Sequence, residues 1–151
     1  MKTKFIIIIV ILVAAVAFFL RIGYLIAPGN YPASENYLIN TSQINFLSKI
    51  DSFKSRNVRY KVPSLVNKYD SIRHSYNIYF YNYSKNQIIH IEIQRENKNK
   101  SVIHLIGINE GLILGNWKTV NNDLTKSESE LIFKDFEQNI LDRLGIIYKR
   151  E

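Results

Sequence analysis

Tyr76-Asn-Ile-Tyr-Phe-Tyr-Asn-Tyr83, Ile88-Ile-His-Ile-Glu-Ile-Gln94 and Val102-Ile-His-Leu-Ile-Gly-Ile108 follow one another closely in the chain. All three are dense in β-branched and aromatic residues, which fit a pleated, half-buried surface. Polar segments separate them, Ser84-Lys85-Asn86-Gln87 after the first and Glu96-Asn-Lys-Asn-Lys100 after the second. A fourth apolar run, Leu112-Ile-Leu-Gly-Asn-Trp117, comes after Asn109-Glu110-Gly111. This spacing predicts a four-stranded antiparallel meander joined by hairpins.

Because side chains alternate along a strand, a slip of one residue exchanges its faces, so the apolar pattern tests the register. Pairing Tyr83 with Ile88, and Arg95 with Ser101, gathers Ile78, Phe80, Ile89, Ile91, Ile93, Ile103 and Leu105 on one face, with Ile113 and Trp117 expected to join them. The opposite face then carries Tyr79, Tyr81, Tyr83, His90, Glu92 and His104, together with Ile106 and Leu114.

Two amphipathic helices flank this block. Phe46, Leu47, Ile50 and Phe53 recur at helical spacing between residues 41 and 55, with Thr41 or Ser42 available as N-cap. Towards the end, Thr125-Lys-Ser-Glu128 and Ser127-Glu-Ser-Glu130 both fit a capping box. Leu131, Ile132, Phe133, Phe136, Ile140, Leu141 and Leu144 continue at helical spacing, and Gly145 suits the C′ position. Between the first helix and the meander, Val58-Arg-Tyr-Lys-Val62 alternates like an edge strand that Pro63 stops. Both helical stripes need a partner surface, and the Ile-rich face supplies one. The expected fold is α+β, ordered α-β-β-β-β-α, within one domain over residues 41–151.

The N-terminus has a different character. Phe5 to Leu20 is an unbroken apolar run behind Lys2 and Lys4. Sixteen residues of helix span only about 24 Å, short of a hydrocarbon core near 30 Å. Continued to Ala27, the span reaches about 34 Å, provided that Arg21 extends its charge to the headgroups. Residues 1–27 are therefore expected to form a cytoplasmic stub and a transmembrane anchor contacting the lipid bilayer through residues 5–27. Residues 28–40, opened by Pro28-Gly-Asn-Tyr-Pro32, form a connector. No Lys or Arg follows Arg21 until Lys49, so the positive charge near the span lies before it. The N-terminus is then cytoplasmic, and the C-terminal domain periplasmic or extracellular. The alternative is a signal peptide whose cleavage secretes the domain. Cleavage after Ala17 would fall inside the apolar run, and cleavage after Ala27 would meet Pro28, so the uncleaved anchor is favoured.

Charge and motifs narrow the function classes. The 151-residue chain carries a net +7, of which Lys2, Lys4 and Arg21 belong to the leader, leaving about +4 for the domain. Lys49, Lys54, Arg56, Arg59, Lys61, Lys68 and Arg73 form a basic stretch, while residues 123–142 are net acidic. The expected compartment disfavours nucleic acid as a partner. There is no cysteine, and with it no disulfide, thiolate metal site or cysteine nucleophile. The chain lacks G-x-S-x-G, H-E-x-x-H and a glycine-rich phosphate loop, so no catalytic residue, metal or cofactor is assigned.

Tyr79, Tyr81, Tyr83, His90, Glu92 and His104 are the interface candidates, because Tyr and His on one flat face suit protein docking. The expected function is a membrane-anchored extracytoplasmic protein-binding module, in a specific version an inhibitor or immunity-type protein, and not an enzyme. One alternative is a small metal-dependent or hydrolytic enzyme using His90, Glu92 and His104. Another is a structural subunit of a membrane complex.

Overall fold

A computed structural model of the protein describes residues 10–20 and 33–151. The chain divides into two compact units, residues 1–32 and 33–151. In the first, residues 10–20 are helical and every one is exposed, Ile11, Leu12, Phe18 and Phe19 among them. Among the described residues, no helix is long and apolar enough to cross a membrane. The span expected over residues 5–27 runs past both ends of this helical segment, into residues that lie outside those described.

The second unit is α+β and built on an antiparallel sheet. Its elements are β1 (Glu35–Ile39), α1 (Gln43–Arg56), β2 (Lys68–Asp70), β3 (Ser75–Asn82), β4 (Gln87–Arg95), β5 (Ser101–Glu110), β6 (Trp117–Thr119), α2 (Lys126–Phe136) and β7 (Tyr148–Arg150). A 3-10 turn, Val58–Tyr60, follows α1, and a π-helical turn, Glu137–Leu141, extends α2.

The sheet has seven strands where four were expected. Their order is β2-β3-β4-β5-β1-β7, with β6 sharing the edge of β5 beside β1. β1 occupies residues assigned to the connector. It fills the edge that β5 would otherwise leave unpaired, and it buries Tyr37 and Ile39 completely. Val58–Tyr60 turns instead of forming an edge strand, and of the fourth apolar run only Trp117 enters a strand, β6.

Local signals set both helices. Ser42 caps α1 by accepting from the N–H of Asn45, and Thr125 and Glu128 complete the capping box of α2. Gly145 adopts φ +62°, the left-handed geometry that ends a helical stretch. Phe46, Ile50 and Phe53 from α1 and Ile132, Phe133 and Phe136 from α2 join the sheet's Ile78, Phe80, Ile91, Ile93 and Ile103 in one core. Both helices thus cover the Ile-rich face, as the apolar stripes require. Full burial of each large side chain stabilises by about 1.5–3 kcal/mol.

The register is partly as expected. β4 and β5 begin with Arg95 opposite Ser101 and run to Ile91 opposite Leu105. β3 and β4 pair Tyr81, not Tyr83, with Ile88, a shift of two residues that leaves every face unchanged. Between Ile91 and His90 the ladder is interrupted by a bulge, so that His90 faces Gly107 and Ile89 faces Ile108. The bulge takes up the extra residue Ile106 and brings Ile108 back into the core.

Candidate functional site

The sheet face turned away from α1 and α2 holds the candidate residues. Tyr79 of β3 stands directly opposite His90 of β4, and their rings stack at 4.7 Å with planes 18° apart. Trp117 of β6 closes the group at 5.7 Å from His90 and 6.1 Å from Tyr79. Trp117 was expected on the Ile-rich face. The bulge and the long loop before β6 break the alternation on which that expectation rested, and the indole lies with Tyr79 instead. Ile113, expected in the core, is 82% exposed, and Leu114 is exposed on the same loop.

Polar contacts tie this face together. His90 Nε2 donates to Asn77 Oδ1 at 2.8 Å, and His104 Nδ1 donates to Asn36 Oδ1 at 2.8 Å. Burial pushes both imidazoles down to about 4, so they are neutral at pH 7. Glu92 lies opposite His104 and Asn77, only 1% exposed. Its Oε2 is 3.8 Å from Arg73 Nη1, and among the described residues its buried Oε1 has no hydrogen-bond partner. Burial raises its carboxyl to about 7.

Tyr81 donates from its hydroxyl to Asn86 Oδ1 at 2.7 Å. Tyr83 lies past the end of β3, 74% exposed, and leaves the tyrosine row. Among the described residues, no three His, Asp or Glu side chains come together in a way that holds a metal ion. His90 and His104 are each engaged by a separate asparagine.

The basic stretch does not form a single face. Lys54 is buried, its Nζ donating to Tyr79 O at 2.6 Å and Asn67 Oδ1 at 3.2 Å and lying 4.5 Å above the Phe80 ring. Burial lowers its amine to about 8. Lys49 donates to Leu144 O, Arg56 to Ser52 O, and Arg59 lies over the Tyr60 ring. Lys61 and Lys68 are exposed, and Arg73 faces Glu92. A concavity of about 1070 Å³ lies elsewhere, between α2 and β7. Sequence reasoning missed Asn109, fully buried at the foot of the β5–β6 loop. Its only signal was an asparagine shortly before two glycines.

Fold and face together define a helix-backed antiparallel α+β domain with a stacked aromatic and imidazole surface on its other side. No protein-family model matches the chain, and no curated protein and no solved structure does so either.

Proposed function

We propose that the protein is a membrane-anchored, extracytoplasmic binding module that docks a protein partner on the aromatic sheet face. The observation that carries this reading is the Tyr79–His90–Trp117 stack, on a face to which neither α1 nor α2 contributes core residues. Trp117 is 40% exposed, and Tyr79 and His90 are half-buried. Rings already held by their neighbours lose little freedom on binding and offer large apolar area with polar edges. Neutral imidazoles add no charge that a partner must desolvate.

The anchor rests on the apolar run of residues 5–27 and on the exposed aliphatic surface of the helical residues 10–20. The charge before that run supports a cytoplasmic N-terminus. An inhibitor or immunity-type role is the specific version of this reading.

Affinity capture with the detergent-solubilised full chain tests it. A Tyr79→Ala, Trp117→Ala chain should lose partners that the unaltered chain retains. If every captured protein stays bound to the double variant, the sheet face is not the docking surface. Protease added outside intact cells should cut the domain and spare residues 10–20; protection of the domain would overturn the orientation.

A further inference from the structure

The loop of residues 111–116, which joins β5 to β6, is held from inside. Asn109 donates from Nδ2 to the carbonyls of Gly111 (2.9 Å) and Ile113 (3.0 Å). Its Oδ1 accepts from the N–H groups of Gly115 (3.2 Å) and Asn116 (2.8 Å). Gly111 at φ +77° and Gly115 at φ +128° allow the backbone to close around that amide. With its backbone satisfied inward, the loop turns its side chains outward: Leu112, Ile113 and Leu114 are 42%, 82% and 42% exposed. Three successive aliphatics fixed in an exposed position mark a contact site, because surface apolar residues ordinarily occur singly.

The neighbouring turn belongs to the same end of the sheet, since the Gly111 N–H donates to Asn86 O at 2.7 Å. That turn carries the exposed Tyr83 and Lys85, the latter 3.6 Å from Asp135. Behind Tyr83, Arg59 and Arg143 line a cavity of about 240 Å³. The aliphatic loop, the tyrosine and the cations therefore gather at one end of the sheet, and they are the residue types that meet hydrocarbon, interface and phosphate in a leaflet.

The path of the chain brings a bilayer to this end. β1 runs antiparallel to β5 with Glu35 opposite Leu105, so the chain before β1 heads towards Glu110 and the loop. Ala33 is held there, its carbonyl accepting from the Asn121 N–H at 3.3 Å. Only residues 28–32 separate Ala33 from Ala27. Five residues reach about 18 Å at most. From Gly107 to Glu110 is a further ~10 Å of strand in the same direction. A tether this short keeps the exposed loop within reach of a bilayer that holds residues 5–27.

We infer that this end of the sheet is a second membrane contact, with Leu112, Ile113 and Leu114 entering the lipid interface and Lys85, Arg59 and Arg143 facing lipid phosphates. The inference rests on the reading of residues 5–27 as an anchor.

The cysteine-free chain suits a direct test. Full-length Ile113→Cys, Ala14→Cys and Lys98→Cys variants, each carrying an environment-sensitive dye, are reconstituted in phosphatidylcholine vesicles with and without brominated acyl chains. Residue 113 should be quenched by the brominated lipid and shielded from iodide, as residue 14 is. Residue 98, in the β4–β5 turn at the other end of the sheet, should behave oppositely. Adding Leu112→Asp to the Ile113→Cys chain should reduce quenching at 113 severalfold, while the same change in the Ala14→Cys chain leaves quenching at 14 intact. If residue 14 is quenched while 113 is as open to iodide as 98, the tip faces water and this inference fails with the anchor intact. If residue 14 is also unquenched, the anchor itself fails and takes the inference with it. Shielding of 113 from iodide without bromine quenching would point to a second copy of the chain, and would overturn the lipid contact.

Discussion

Glu92, His90 and His104 sit within one face, yet burial moves their titrations in opposite directions. The Glu92 carboxyl is raised from an ordinary 4.5 to about 7, so between those values the folded chain holds a proton that the unfolded chain has released. Its effect on stability is therefore a loss as pH rises from 4.5 through 7, constant beyond. Both imidazoles are lowered from 6.5 to about 4. Their burial is harmless above pH 6.5 and costs stability as pH falls towards 4. Two groups oppose one, so acidification from pH 6.5 to 4.5 should destabilise the protein overall by a few kcal/mol, at about 1.4 kcal/mol per pKa unit. Glu92→Gln removes the carboxyl's share. Urea midpoints should show the variant about 1–2 kcal/mol more stable than the unaltered chain at pH 8 and equal to it below pH 4.5. The register placed Glu92 opposite His104 from the sequence alone. Its burial was not legible there, because a carboxylate on a strand reads as solvent-facing unless the cover over it is known. Lys54 repeats the lesson on α1: in the sequence it belongs to a basic run, whereas in the fold the carbonyl of Tyr79 takes its ammonium inside.

At the scale of elements, the strong periodic segments held and the short ones did not. α1, α2, β3, β4 and β5 each carry their own signal, apolar residues at a period of 3.6 or 2 with caps or turns at the ends. β1, β2, β6 and β7 have three to five residues each and no such signal. Gly107 shows how one position governs such an element. A Cβ built there would come within 2.3 Å of Lys118 O, because β6 lies tight against β5 at the bulge. Gly107→Ala should therefore lift β6 away, costing about 1–3 kcal/mol. Amide exchange at Val120, whose N–H donates to Ile106 O, should accelerate, and emission from Trp117 should shift to the red. β7 is held by charge as well as by pairing. Arg150 reaches Glu35 of β1 at 3.4 Å, Glu130 of α2 at 3.1 Å and Glu137 at 3.5 Å. Arg150→Ala should lower stability by about 1–2 kcal/mol, and the difference should narrow in molar salt, where the unaltered network is screened.

For the molecule as a whole, every core residue among those described belongs to residues 33–151. A chain beginning at Pro28 should stay in solution without detergent and unfold in one cooperative step. Coincident urea transitions by circular dichroism and Trp117 fluorescence would check this; separated transitions would show that the core depends on residues before Pro28. The sequence by itself determined the α+β class, the two capped helices, the Ile-rich face that receives them and the company of Tyr79, His90, Glu92 and His104 on the other face. Each of those follows from spacing between near neighbours, and periodicity is a local property of the chain. Only the tertiary structure decided that the sheet has seven strands, that Trp117 stacks with His90, and that Glu92 and Lys54 are buried. These depend on pairings between distant segments, such as β1 with β5, where His104 meets Asn36 across 68 positions. The free energy of filling an open sheet edge or covering a charge belongs to both partners, and neither segment carries it alone.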